Sequence, residues 1–143
     1  MKFNKKIAII ASSLLFAGWQ NVATAGTVVI VNANNPESSL SSKQVKKIFL
    51  GKTSSFPGGT AVSPIDHEDS SATKKDFYKL VTKKDLESLQ KYWSKRVFTG
   101  KGTPHKTVTN GVSAMEFVKN NPNGICYIDD SLIYGSVKVV YKL

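Results

Sequence analysis

The sequence predicts an α/β fold, a mixed sheet flanked by helices. Two observations predict it. Residues 27–31 are a continuous β-branched run, dense enough for a strand buried on both faces. Further along, short apolar runs alternate with helix-spaced apolar stretches that begin at cap residues. A chain of 143 residues with 41% hydrophobic content and no repeat is the length of one compact domain and too apolar to be disordered.

The elements follow in order. After the first strand, residues 32–38 with Pro36 form a loop. Ser41 and Gln44 then make a capping box for a helix whose apolar face is Val45, Ile48 and Phe49, closed at Gly51. Pro57-Gly58-Gly59 is a turn, and residues 61–65 are a short strand. The polar run 66–71 is expected as a loop leading into a helix over residues 73–81, with Phe77, Leu80 and Val81 helix-spaced. Asp85 starts another helix, whose Leu86, Leu89 and Trp93 share a core-facing stripe, and residues 100–106 are expected as loop. Asn110 caps a helix to residue 120, with Val112, Met115 and Val118 apolar and Phe117 widening the stripe. Strands at 125–128 and 136–141 complete the order β-α-β-α-α-α-β-β.

Residues 1–25 are expected to be an export signal. Lys2, Lys5 and Lys6 precede an apolar stretch from 7 to 17, and Ala23-Thr24-Ala25 is a small-residue cleavage pattern. That stretch is short of the ~20 residues that span a bilayer. The expected mature domain is 26–143, periplasmic. The whole chain has a formal net charge of +10, but its lysines are dispersed and Arg96 is the only arginine in the sequence. Base readout and phosphate clamping favour arginine, so nucleic acid is not an expected partner. Lys83-Lys84 and Lys95-Arg96 read as solvated helix ends. The single Cys126 lies in an apolar strand and reads as a small buried hydrophobe.

The chemistry concentrates at residues 66–74. Amides in the first turn of a helix lack internal partners and carry the positive end of its dipole, so they attract anions. Hydroxyls of Ser70, Ser71 and Thr73, with the amides of 71–74, could surround a tetrahedral oxyanion. The plainer alternative is that Asp69, Ser70 or Ser71 only caps the helix. Asp66, Glu68 and Asp69 oppose an anion unless a carboxylate takes a proton from it or pairs with a cation; a protonated His67 could be that cation, the plainer alternative being a solvated loop side chain.

Residues 40–52 resemble the stretch that opens the second lobe of phosphate ABC transporter substrate-binding proteins, two-lobed periplasmic binding proteins of type II. Asn110-Gly111-Val112 and residues 122–128 (PNGICYI) continue the resemblance. The family's oxyanion loop, R-x-D-G-S-G-T, is matched by His67-Glu68-Asp69-Ser70-Ser71-Ala72-Thr73, with Phe77 as the following aromatic. The resemblance implies a single three-layer lobe in which Asp69, Ser70, Ser71, Ala72 and Thr73 hold phosphate or a related small anion. His67 stands where the family has its arginine, and Ala72 replaces a glycine. One lobe of a closing clamp implies weak binding unless a partner or a second copy completes the cleft.

Two functions compete. One is a periplasmic solute-binding domain linked to phosphate ABC transport, with an ABC permease as its membrane partner. The other is a sensory or interaction protein that docks on a membrane sensor or envelope partner, with ligand binding weak or lost. An enzyme is not expected: Ser71, His105 and Asp129 could be drawn as a triad, but there is no G-x-S-x-G elbow, metal-spaced pair or P-loop, and no cofactor is called for.

Overall fold

The computed structural model describes residues 26–143, so the expected export signal at 1–25 lies outside the described residues. The elements are β1 (Thr27–Asn32), α1 (Ser42–Phe49), β2 (Ser63–His67), α2 (Ala72–Thr82) and α3 (Leu86–Phe98). There follow β3 (Lys106–Val108), α4 (Gly111–Asn120), β4 (Gly124–Asp129), a 3-10 turn at Asp130–Leu132 and β5 (Val137–Lys142). The five strands form one mixed sheet in the order β3-β2-β4-β1-β5. Strand β2 runs parallel to β3 and β4, while β1 is antiparallel to β4 and β5.

The β-branched run of β1 has its physical reason here. Alternate side chains of a strand point to opposite faces. Val29 and Val31, with Ile125 and Tyr127 of β4, pack under α1, α2 and α3 through Val45, Phe49, Phe77 and Trp93. Val28 and Ile30, with Cys126 and Ile128, pack under α4 through Ala114, Met115 and Val118. The domain is therefore three-layered, with helices covering both faces of the central strands. Burial pushes the Cys126 thiol far up, so it is an inert part of the α4 layer.

The expected caps are in place. Ser41 and Gln44 form the reciprocal capping box of α1, Asp85 accepts from Ser88 N, and Asn110 accepts from Ser113 N. Four expectations are corrected. Lys106, the expected last residue of a loop, instead begins edge strand β3, an element absent from the expected order. Asp66 and His67 belong to β2, which continues two residues beyond the expected end. Leu80 and Val112 are exposed, because the buried stripes of α2 and α4 run through Phe77, Tyr78 and Val81 and through Ala114, Met115 and Val118. Arg96 is not simply solvated: its guanidinium donates to the carbonyls of Gly51 (2.9 Å) and Lys101 (3.1 Å) and lies over the rings of Tyr92 and Trp93.

Candidate functional site

The loop between β2 and α2 carries the expected site residues. Ser71 N donates to Glu68 O, turning the chain into α2, and Ser71 Oγ accepts from Lys74 N at 3.3 Å, so Ser71 is the N-cap. The hydroxyl thus performs the capping role that the sequence allowed. The next amides, of Ala72 and Thr73, occupy first-turn positions that have no acceptor within a helix. Ser70 and Ala72 are exposed, and Ser71 and Thr73 half-buried, so this edge of the helix faces solvent. Asp69, also exposed, accepts from Lys74 Nζ at 2.9 Å and from Gln90 Nε2 at 3.1 Å, and those two donors hold its carboxyl below the usual carboxylate range.

His67 has a different setting from the loop side chain expected of it. It is 3% exposed within β2, and its Nε2 lies 2.7 Å from the Tyr127 carbonyl oxygen. The positive charge beside the loop belongs instead to Lys74, whose side chain is only 8% exposed. Lys74 stands between two carboxylates, with Asp66 Oδ2 at 3.6 Å on its buried side. Asp66 also accepts from the hydroxyl of Tyr78 at 2.7 Å, from that of Tyr127, and from the His67 amide at 2.8 Å. A carboxylate taken out of water needs such partners. Burial first, and then the Asp66 charge, raise the Tyr78 and Tyr127 hydroxyls above the ordinary tyrosine value, so both remain donors.

This charged cluster forms one end of a cavity of about 610 Å³ between α3 and the β2–β3 edge of the sheet. Asp66, Asp69, Lys74 and Gln90 line that end, and Leu89, Trp93, Val97, Phe98 and Pro104 supply apolar walls. His105 and Thr107 close it from the β3 side. Of the residues expected at the oxyanion site, only Asp69 borders this cavity; Ser70, Ser71, Ala72 and Thr73 lie outside it. Ser71, His105 and Asp129 form no triad. Ser71 caps α2, His105 Nε2 meets the Phe49 carbonyl at 2.9 Å, and Asp129 accepts from Ser131. Among the described residues, no cluster of His, Cys, Asp and Glu is arranged to hold a metal ion.

Sequence reasoning missed Lys74, Tyr78, Gln90 and Tyr127 as neighbours of the loop. One signal for Lys74 is present in the sequence: it precedes Phe77, Tyr78 and Val81 by three, four and seven residues, which places a lysine on the buried stripe of α2.

The three-layer sheet with this loop at one end is one lobe of the periplasmic binding protein-like fold. A protein from Clostridium perfringens described as a phosphate ABC transporter substrate-binding protein, solved with bound phosphate, matches 80% of this chain and 44% of its own. It does so with a TM-score of 0.66 and 26% identity. An ABC-type phosphate transport receptor from Vibrio cholerae matches 80% of this chain and 45% of its own, with a TM-score of 0.65 and 20% identity. The chain spans less than half the length of these two proteins. No protein-family model matches the sequence, and neither does any curated protein sequence.

Proposed function

We propose that this chain is an exported periplasmic solute-binding domain that holds phosphate or a related oxyanion at the start of α2, in a role tied to phosphate ABC transport. The observation that carries the reading is the match over 80% of the chain to a protein with bound phosphate. The start of α2 supports it with chemistry of its own. The amides of Ala72 and Thr73, the hydroxyls of Ser70 and Thr73 and the helix dipole offer donors to an anion, and the Asp69 carboxylate can accept a hydrogen bond from a protonated one. Lys74 supplies the charge that the resemblance assigns to the family's arginine, while His67 braces β2 from within through the Tyr127 carbonyl.

Calorimetric titration of the purified protein with phosphate and sulfate tests this reading, with protein fluorescence as a second readout. Saturable phosphate binding is expected, lost in Ser70→Ala/Thr73→Ala while the circular dichroism spectrum stays that of the parent. Unchanged affinity in that variant would remove the site from the start of α2. Silence at millimolar phosphate, from folded protein, would remove the oxyanion function itself. A second reading, an interaction protein that docks on a membrane or envelope partner, draws on Phe98, which is 92% exposed at the end of α3.

A further inference from the structure

The cavity beneath α3 is built for something larger than an inorganic oxyanion. Its volume of about 610 Å³ falls within the ~300–1,000 Å³ of sites for small organic ligands, which are mostly apolar with a few placed polar groups. Leu89, Trp93, Val97, Phe98 and Pro104 give it that apolar character. A phosphate or sulfate ion would leave those walls facing water and gain nothing from them.

The charged end restricts the occupant further. Lys74 and Asp69 lie 2.9 Å apart and both line the cavity, so an ammonium and a carboxylate are offered side by side. The Lys74 side chain is nearly enclosed, whereas that of Asp69 is 55% exposed. An ammonium has three donors; one meets Asp69 at 2.9 Å, and with Asp66 Oδ2 at 3.6 Å, beyond hydrogen-bond reach, two remain. Each Asp69 oxygen keeps a lone pair after accepting from Lys74 and Gln90. Asp66 and Asp69 outweigh Lys74 by one negative charge, so a purely anionic ligand would be repelled, while a purely cationic one would leave the free donors of the enclosed Lys74 ammonium unmet. Like charges in a partly desolvated site repel strongly.

We propose that this cavity is a second binding site, for a small zwitterion with an apolar body, the chemistry of an apolar α-amino acid. Its carboxylate pairs with Lys74, its ammonium with Asp69, and its side chain lies against Trp93, Val97 and Phe98. The site goes beyond the oxyanion contacts at the start of α2 and shares only Asp69 with them.

The test is calorimetry on the protein purified from cells expressing the full chain. The probes are L-phenylalanine and two analogues that keep the ring but carry one charge each, phenethylamine and 3-phenylpropionate. Phenylalanine is expected to bind saturably and each analogue about tenfold more weakly or worse. Ser94→Trp, at an exposed position on the cavity wall, should fill the space, abolish the phenylalanine heat and leave the parent's response to phosphate unchanged. Asp69→Asn should erase the preference for phenylalanine over 3-phenylpropionate. No saturable heat with phenylalanine at millimolar concentration from folded protein overturns the proposal. Equal affinity for either single-charge analogue overturns it too, because the ion pair would then not be reading both charges. Phosphate binding without phenylalanine binding sinks this site alone, and phenylalanine binding without phosphate binding sinks only the oxyanion reading.

Discussion

The Tyr78 hydroxyl donates to Asp66 Oδ2 across 2.7 Å, tying the middle of α2 to the end of β2. Asp66 is buried at the sheet end of the cavity, and Tyr78, Tyr127, the His67 amide and Lys74 share its charge. Tyr78→Phe keeps the ring, which packs edge-on to Phe77 and Tyr127, and removes only the donor. Leaving a buried acceptor short of a partner costs ~1–3 kcal/mol. Urea unfolding should show that loss as a lower midpoint at unchanged slope. A midpoint equal to the parent's would mean that the remaining donors already satisfy the carboxylate.

Asn32 does a comparable job at the other side of the sheet. From the end of β1 its Nδ2 donates to the carbonyls of Val118 and Lys119 at 3.0 Å each, and its Oδ1 accepts from Asn34 N at 2.9 Å. Two carbonyls at the carboxyl end of α4 are thereby satisfied, where the helix dipole is negative. Asn32→Asp replaces the donor with a negative charge against those carbonyls. It should cost more than Asn32→Ala, which itself should lose ~1–3 kcal/mol, chiefly through the Lys119 carbonyl and the Asn34 amide, since Val118 O also accepts from Asn121 N at 3.3 Å. Thermal unfolding of the two variants at neutral pH gives the order, and an Asp variant as stable as the Ala variant would deny the carbonyls their part.

What the sequence made legible was whatever depends on neighbours along the chain. The Ser41–Gln44 box, the Asp85 and Asn110 caps and the β-branched run of β1 are local signals, and each has its expected place. Strand β3 has three residues at the sheet edge, two of them exposed, so no apolar period marks it. Asp66 and His67 look like loop because a buried Asp-His pair at a strand end is stable only with Tyr78, Lys74 and Tyr127 around it. Tyr127 lies 61 residues from Asp66, and local pattern carries nothing of such a partner. For the same reason the loop motif offers His67 as its nearest candidate cation, whereas the structure carries that charge on Lys74, in the first turn of α2.

Gly51 tests a fit between helices. It follows α1 with φ of +66°, a conformation that disfavours a side chain, and an added Cβ would stand 3.0 Å from Trp93 Cη2. Its carbonyl meanwhile accepts from Arg96. Gly51→Ala should therefore destabilise by ~1–2 kcal/mol from the backbone alone, with a further loss as the Trp93 ring is displaced. Its mark beyond a lower melting temperature is a changed indole environment, read in the fluorescence of Trp93. An alanine variant with the parent's melting temperature would show that α3 shifts freely against the end of α1.

His105 packs edge-on against Trp93 and Phe49, and its Nε2 donates to the Phe49 carbonyl at 2.9 Å in the neutral ring. Burial lowers its pKa below the ordinary imidazole value, and the Phe49 carbonyl only partly opposes this. In the unfolded chain the ring takes up its proton near pH ~6.5. The unfolded state thus binds the proton first as the pH falls, so the stability that His105 contributes is present above that value and is lost toward the folded pKa. Asp69 acts in the same direction but lower, as the pH falls through the carboxylate range. Melting temperature should therefore decline from about pH 7.5 to about pH 5. His105→Gln, whose amide can still donate to Phe49 but does not titrate, should flatten that decline. A variant profile parallel to the parent's would assign the slope to other groups and leave His105 without a part in it.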